Sequence, residues 1–236
     1  MNQKGKLYLI PSPLGDNDPV EVIPQSVLGT ACSLGIFVVE EERTARRFLS
    51  RYGLRGRIAE LEFHELGEHT SLQEVEELLK LFDRGDVGMI SEAGLPAVAD
   101  PGAALVALCH RNGIEVVPLV GPSSLMLSLM ASGLNGQSFA FQGYLPAKTE
   151  LRRSAIKGFE KKSHSGNQTQ IFIETPYRND SLFSDMTSLL NPDTRLCVAA
   201  DLTLPTRTIK TMSVREWRTL KDFRIGKRPC VFLILA

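Results

Sequence analysis

Residues 87–102 read VGMISEAGLPAVADPG, an apolar run followed at once by a loop rich in glycine, alanine and proline. The run predicts a buried strand, and the loop predicts a turn at its carboxyl end. Leu7–Ile10 is followed in the same way by PSPLGD, and Val116–Leu119 by VGPSS. Loops at the carboxyl ends of parallel strands build the ligand sites of open α/β sheets. Each loop alone is typical of a plain turn, so the prediction of a site rests on their joint pattern.

Strands and helices alternate through the first half of the chain. Ile36–Val39 predicts another buried strand, and helices are predicted over Thr44–Tyr52 and Ala103–Asn112. Ser71–Phe82 has apolar residues at helical spacing, beginning with Leu72, and its first residue can cap that helix. The alternation predicts βαβ units and a parallel sheet.

The second half predicts a mixed sheet, because several of its strands follow one another without a helix between them. Helices are predicted at Thr149–Phe159 and Asn179–Leu190, and the polar segment Lys161–Gln170 predicts a loop. We therefore predict two α/β domains, residues 1–120 with a parallel sheet and residues 121–236 with a mixed sheet. The predicted strands of the second domain are Phe139–Tyr144, Gln170–Glu174, Arg195–Ala200, Thr208–Met212 and Cys230–Leu235.

Composition limits the classes of function. The 236 residues include 27 basic and 27 acidic ones, so any binding of nucleic acid needs a local basic patch. None of the four cysteines forms a C-x-x-C pair, and they are predicted to be small buried hydrophobes. His64 and His69 lack a third ligand, so no metal is expected and His64 is assigned to a loop. No run approaches the length of a membrane span, so we expect a soluble, cytoplasmic protein.

None of the loops is a G-x-G-x-x-G or Walker A motif, so an ordinary dinucleotide or triphosphate site is not indicated. Ordered motifs nevertheless run through most of the chain. They are PSPLGD (11–16), EEER (40–43), YGL (52–54), SEAGLPAVADPG (91–102), VGPSS (120–124), LMASGL (129–134), GYLPAK (143–148) with two following arginines, and ETPYR (174–178). Together they resemble the family of ribosomal RNA small-subunit methyltransferase I, within the tetrapyrrole-methylase superfamily.

The resemblance implies two α/β domains of the tetrapyrrole-methylase type, with S-adenosylmethionine in the cleft between them, and a homodimer. The sulfonium, carboxylate, amine and adenosine of this cofactor suit backbone groups of glycine-rich loops and an apolar slot. The implied reaction is methyl transfer to ribosomal RNA, at a ribose 2′-hydroxyl. On the matching motifs, the predicted cofactor-binding residues are Pro13, Leu14, Ser91, Glu92, Ala93, Gly94, Pro122, Ser123, Ser124, Glu174, Thr175 and Leu202. Ser123 or Ser124 is also suited to cap the helix that follows.

Charged residues beside these motifs are the candidates for catalysis and substrate binding. The predicted catalytic residues are Glu41, Arg43 and Lys148, and the predicted substrate-binding residues are Arg152, Arg153 and Arg178. Acids at 40–42 also suit the first turn of a helix, which leaves a structural role open for them. The basic cluster would pair with phosphate, and the alternative is a solvated helix face. For Arg178 the alternative is an ion pair with Glu174.

The sequence departs from the family on the substrate side. Glu41 stands where the family has Asp, and Glu42 where it has Thr. Residues 200–204, ADLTL, lack the lysine of the family's R-E-L-T-K, and 227–229, KRP, replace its K-G-E. The chain also lacks the small C-terminal helical domain of longer members, so we interpret it as a shorter paralogue. The alternatives are a methyltransferase acting on a small molecule such as a tetrapyrrole, and a non-catalytic protein that binds the cofactor or RNA.

Overall fold

The computed structural model describes residues 4–236, and the chain divides into two compact units, Met1–Ser123 and Ser124–Ala236. The strands of the first unit are β1 (Leu7–Ile10), β2 (Ile36–Val39), β3 (Glu62–Glu65), β4 (Val87–Ile90) and β5 (Val116–Pro118). Its helices are α1 (Pro19–Val22), α2 (Gln25–Ser33), α3 (Glu42–Leu49), α4 (Leu72–Glu77) and α5 (Ala103–Arg111). A π-helical turn follows α3 at Ser50–Leu54, and 3₁₀ turns lie at Ile58–Glu60 and Leu78–Asp83. The strands form one parallel sheet in the order β3-β2-β4-β1-β5.

Apolar side chains cover both faces of this sheet. One face packs around Phe37 and Leu49, and the other packs around Phe82 and Leu105. Parallel strands that are covered on both sides have near-continuous apolar sequences, which is why these strands are recognisable in the sequence. The four predicted strands of this unit are confirmed, with β5 ending one residue early at Pro118.

One prediction for this unit is wrong. His64 lies in β3 and not in a loop. The strand was not predicted because it lies at the edge of the sheet, next to β2, and half of its residues are charged. Leu72 is 74% exposed, because α4 begins there and its buried face starts one turn later, at Val75. The predicted cap is confirmed, since the Ser71 hydroxyl accepts a hydrogen bond from the first turn in a capping box.

The second unit is built on a mixed sheet. Its strands are β6 (Phe139–Tyr144), β7 (Thr169–Ile173), β8 (Arg195–Ala200), β9 (Thr208–Ser213) and β10 (Cys230–Leu235). Its helices are α6 (Ser124–Ser132), α7 (Thr149–Gly166), α8 (Asn179–Leu189) and α9 (Val214–Trp217), with a 3₁₀ turn at Pro176–Arg178. The strand order is β6-β7-β10-β8-β9, in which β6 and β7 are parallel and the other pairs are antiparallel.

The prediction of a loop at Lys161–Gln170 is wrong, because α7 continues to Gly166. Its polar last turns lack an apolar period, yet the buried Ser163 fixes them by accepting a hydrogen bond from the Ala236 N–H at 3.0 Å. The helix ends at Gly166, and the next residue, Asn167, takes the left-handed conformation with φ 44°. Tertiary contacts therefore extend the helix beyond its sequence signal.

The cysteines behave mainly as buried apolar residues, as predicted. Cys109, Cys197 and Cys230 are buried, and burial raises the pKa of the Cys109 thiol to about 11. In residues 4–236, no three His, Cys, Asp or Glu side chains come together so that they could hold a metal ion. No helix within this described range is long and apolar enough to cross a membrane.

Candidate functional site

Two of the predicted loops are hydrogen-bonded to each other at the carboxyl edge of the first sheet. The Ser12 N–H donates to the Gly94 carbonyl at 2.8 Å, and the Gly94 N–H donates to the Ser12 carbonyl at 3.1 Å. The fully buried Ser12 hydroxyl also donates to the Ser91 carbonyl at 2.9 Å. The loops after β1 and β4 therefore form one rigid backbone surface.

The third loop, after β5, packs against the same surface without room for side chains. A Cβ atom added to Gly121 would lie 2.1 Å from the Pro11 Cβ, so only glycine fits there. Gly94 has φ 76°, and an added Cβ would lie 3.3 Å from the Leu14 side chain and 3.6 Å from the Pro122 carbonyl. Predicted cofactor residues from three loops are thus brought together within this unit.

Asp100 shapes the long loop after β4. Its carboxylate accepts hydrogen bonds from the Ala97 N–H at 2.9 Å and from the Gly102 N–H at 2.8 Å. Ala97 and Ala99 both have positive φ angles, 65° and 62°, which cost energy for residues with a Cβ. The carboxylate therefore stabilises the strained turn from Ala97 to Gly102, in the same loop as the exposed Glu92 and Ala93.

We expect Asp100→Ala to destabilise the first unit by about 2 kcal/mol, because two backbone N–H groups lose their acceptor and the strained turn is released. Asp100→Asn keeps one acceptor oxygen and should cost less than half as much. Urea denaturation of both variants measures the difference. Equal stability of Asp100→Ala and the wild-type protein would show that the turn holds itself.

Glu40 follows β2 at the same edge. Its carboxylate accepts a hydrogen bond from the Glu92 N–H at 3.2 Å. Burial raises the pKa of Glu40, and the nearby carboxylates of Glu92, Asp100 and Glu68 raise it further, against the lowering effect of that hydrogen bond. A carboxyl group of this kind takes up a proton more readily than an exposed one, which suits removal of a hydroxyl proton.

The raised pKa predicts a pH-dependent effect of Glu40→Gln on stability. Above the folded-state pKa, the wild-type carboxylate is charged in an environment that disfavours its charge, so the neutral glutamine is expected to be stabilising at pH 8. Below the unfolded-state pKa both side chains are neutral, and the two proteins should be equally stable at about pH 3.5. Denaturant midpoints at both pH values measure this. A glutamine variant that is less stable than wild type at pH 8 would contradict it.

Glu41 has a structural role that the sequence left open. Its carboxylate caps α3 by accepting hydrogen bonds from the Arg43 N–H at 3.1 Å and the Thr44 N–H at 2.6 Å. Hydrogen bonding to Thr44 is the largest of the effects that lower the pKa of Glu41, which makes it a weaker base. Its predicted catalytic role stays a prediction. Arg43 is exposed, and its guanidinium forms no hydrogen bond or ion pair within residues 4–236.

In the second unit, Glu174 and Arg178 form the ion pair that the sequence left as the alternative. Arg178 Nε and Nη2 lie 2.9 and 2.6 Å from Glu174 Oε1, which also accepts from the Thr175 N–H at 2.7 Å. The Glu174 side chain is fully buried, and its Oε2 is buried without a hydrogen-bond partner in the described part of the chain. Thr175 is exposed beside it.

The loop after β8 holds Leu202 in a strained turn. Asp201 and Thr203 on either side have positive φ angles of 53° and 73°, and Leu202 is buried. The Asp201 N–H donates to the Pro229 carbonyl at 3.0 Å, and the Asp201 carboxylate lies 3.8 Å from Arg228 Nη1. The turn is therefore fixed by the residues just before β10. The ends of β7 and β8 pair with the start of this strand.

The three basic residues around the start of α7 differ in accessibility. Lys148 is exposed and precedes the first turn of the helix. Arg152 is buried, and its guanidinium pairs with Asp185 at 2.6 Å and donates to Ser181 at 3.2 Å. The structure gives Arg152 a structural role, and its contact with substrate stays a prediction. Arg153 is half exposed, with Asp185 4.0 Å away.

Sequence reasoning missed Ser12 and Asp100 as parts of the site, and it considered Glu40 only together with Glu41 and Glu42, as a substrate clamp, a base or a helix start. Ser12 lies within the PSPLGD motif, so its position alone could have indicated it. Asp100 lies in an Asp-Pro-Gly sequence, which is a common turn signal. Its hydrogen bonds from the Ala97 and Gly102 N–H groups depend on the folded loop and have no separate sequence signature.

The surface made by the three loops fits the predicted cofactor. Side chains are excluded at Gly94 and Gly121, so backbone groups can approach a carboxylate or an amine closely. Leu14 is partly exposed next to Gly94, and it can contact an apolar group such as adenine. The described residues of this edge thus provide both kinds of contact.

Solved structures with the same fold are methyltransferases and a synthase. The methyltransferase CobJ has a TM-score of 0.64 at 15% sequence identity, covering 98% of this chain and 94% of that one. Diphthine synthase has a TM-score of 0.66 at 17% identity, and the match covers 98% of this chain and 90% of that one. Uroporphyrin-III-C-methyltransferase from Thermus thermophilus has a TM-score of 0.56 at 18% identity, and the match covers 99% of this chain and 93% of that one. At these identities the likeness establishes the fold, which is that of the tetrapyrrole methylases.

Fold and loops together define an S-adenosylmethionine-dependent methyltransferase of the tetrapyrrole-methylase type. Ribosomal RNA small subunit methyltransferase I of Vibrio cholerae is 32% identical over 211 residues, which is 89% of this chain and 69% of the relative. The protein of the same name from Escherichia coli O157:H7 is 32% identical over 216 residues, which is 91% of this chain and 71% of that relative. The chain belongs to the ribosomal RNA small subunit methyltransferase I family. No family model matches it.

Proposed function

We propose that the protein transfers a methyl group from S-adenosylmethionine to a ribose 2′-hydroxyl of small-subunit ribosomal RNA. The observation that carries the proposal is the junction of the three glycine-rich loops, in a chain that is 32% identical to ribosomal RNA methyltransferases over about nine tenths of its length. The cofactor supplies an electrophilic methyl group. The protein has to hold it in line with the acceptor oxygen.

The cofactor is assigned to the residues that the three loops bring together in the first unit, and the other predicted cofactor-binding residues belong to the second unit. The first set is Pro13, Leu14, Ser91, Glu92, Ala93, Gly94, Pro122 and Ser123, and the second set is Ser124, Glu174, Thr175 and Leu202. Backbone groups dominate the first set, so its shape depends on the loop hydrogen bonds more than on side-chain chemistry. Because the Glu174 carboxylate is buried, we assign its role to holding the exposed Thr175.

The RNA is assigned to the exposed cations. Arg43, Lys148 and Arg153 are accessible and would pair with phosphate oxygens, whereas the buried Arg152 fixes α7. The bound cofactor would supply the methyl group, and the 2′-hydroxyl would lose its proton as the oxygen is methylated. The hydroxyl proton needs an acceptor, and we assign this role to Glu40, whose pKa is raised.

The test uses small-subunit ribosomal RNA from bacteria that lack their own small subunit methyltransferase I. The purified protein is incubated with this RNA and S-adenosylmethionine carrying a labelled methyl group, and the RNA is then hydrolysed in alkali. A 2′-O-methylated linkage resists alkali because its ribose has no free 2′-hydroxyl, so the label should stay in dinucleotides. Label in mononucleotides would indicate base methylation. Absence of label, with S-adenosylhomocysteine bound in a calorimeter, would leave a cofactor-binding protein with another role.

We also propose that the protein acts in the cytoplasm as a homodimer. On α6, Met130 is 78% exposed and Met126 is 44% exposed, one helical turn apart. Exposed apolar side chains at this spacing are typical of a covered helix face. Light scattering should give twice the mass of the chain, and a monomer at micromolar concentration would contradict the proposal.

A further inference from the structure

Positive charge is concentrated near the end of the chain, although its net charge is zero. Residues 207–228 contain eight Lys and Arg residues and two acidic ones, so the remainder of the chain carries an excess of acid. Within this segment, Arg215, Arg218, Lys221, Arg224 and Lys227 are exposed. The segment is therefore a local basic patch of the kind that a neutral protein needs to bind nucleic acid.

Neighbouring acids neutralise little of this charge. Only Arg215 and Arg228 lie within 4.0 Å of a carboxylate in the described residues, Asp193 and Asp201 respectively. Arg224 donates to the Phe223 carbonyl at 2.9 Å, a contact that leaves its charge uncompensated. Structural ion pairs therefore do not account for the basic residues of this segment.

An exposed aromatic ring lies against the segment. Tyr177, in the 3₁₀ turn after β7, is 80% exposed, and the Lys227 Nζ lies 4.9 Å from its ring centre. Aromatic rings next to cations hold unpaired RNA, because the base stacks on the ring and the phosphate pairs with the cation.

The turn and the basic segment are fixed to each other before any ligand binds. The Asn179 side chain donates to the Arg228 carbonyl at 2.7 Å and to the Gly226 carbonyl at 3.3 Å. Asp180 accepts from the Ile225 N–H at 2.8 Å. Asn179 and Asp180 directly follow the turn that carries Tyr177, so ring and cations need little ordering on binding.

We propose that Tyr177 and Arg224–Arg228 form a contact for an unpaired segment of the RNA substrate, in which a base stacks on the Tyr177 ring and Lys227 and Arg224 pair with phosphates. The inference rests on the proposed function for its choice of RNA. It adds Tyr177 and Arg224–Arg228 to the proposed RNA contacts Lys148 and Arg153, and none of the predicted cofactor residues belongs to it.

The test compares Tyr177→Ala with Tyr177→Phe, which keeps the ring. Binding of a short, labelled, unpaired RNA is measured by fluorescence anisotropy, and S-adenosylhomocysteine binding is measured by calorimetry. Tyr177→Ala should weaken RNA binding about tenfold, with unchanged affinity for S-adenosylhomocysteine, and Tyr177→Phe should bind RNA like wild type. Lys227→Gln should lower the slope of log affinity against log salt by about 0.7. Arg111→Gln, an exposed cation at the end of α5, is the matched control and should leave the slope unchanged.

Two results would overturn the inference while the proposed function stands. One is wild-type RNA affinity in Tyr177→Ala when methylation of ribosomal RNA is intact. The other is a loss of S-adenosylhomocysteine affinity in Tyr177→Ala, which would assign the ring to the cofactor. If the wild-type protein neither binds nor methylates RNA, the proposed function fails and this contact fails with it.

Discussion

Gly121→Ala is expected to lower kcat/KM on ribosomal RNA about 100-fold and to weaken S-adenosylhomocysteine binding at least tenfold. The added Cβ would lie 2.1 Å from the Pro11 Cβ and 2.3 Å from its Cγ, well inside van der Waals contact. One of the two loops must move by about 1 Å, and a displacement of that size at a reacting centre costs about two orders of magnitude in rate. The same overpacking should destabilise the first unit by about 2 kcal/mol.

Calorimetric titration with S-adenosylhomocysteine and a methylation assay measure the two effects separately. Gly29→Ala is the matched control, because it lies inside α2 and an added Cβ meets no atom within 4 Å. That substitution should stabilise the protein by about 0.5–1 kcal/mol and leave binding unchanged. Wild-type cofactor affinity in Gly121→Ala would show that the loop after β5 does not shape the site.

The fold could be predicted from the sequence to the extent that burial leaves a local pattern. β1, β2 and β4 are covered on both faces and appear as apolar runs with the bounds found in the structure. β3 pairs at the edge of the sheet, and its EFHE sequence has only one apolar residue, so it was not recognised. The last turns of α7 were missed for a related reason, since a contact with the end of the chain fixes them.

The candidate site could be predicted at the level of loops but not of side-chain roles. Glycine marks positions that exclude a side chain, and the structure gives Gly94 and Gly121 that property. Charged residues carry no such mark. The sequence around Glu41, Arg152 or Arg153 does not show whether the side chain has a functional or a structural role. Only the folded chain distinguishes the buried pair of Arg152 with Asp185 from the half-exposed Arg153.

The second large effect is expected for Arg178→Ala, which should destabilise the second unit by about 3 kcal/mol. The fully buried Glu174 carboxylate would keep a single donor, the Thr175 N–H, and its Oε2 has no partner in the described residues. Removing one partner of a buried ion pair leaves an uncompensated charge, which costs about 3–5 kcal/mol. We place the expected cost at the lower end because Arg178 itself is 29% exposed.

The double variant Glu174→Gln/Arg178→Ala separates stability from substrate binding. Glutamine removes the buried charge, so the double variant should recover most of the loss, and urea denaturation of all four proteins in the cycle gives the coupling energy. If Arg178 also binds RNA, the recovered double variant should still bind RNA more weakly than Glu174→Gln alone. If its role is only to neutralise Glu174, the two should bind RNA equally. An Arg178→Ala protein as stable as wild type would show that water or a shifted side chain satisfies Glu174, and that the ion pair does not fix the turn.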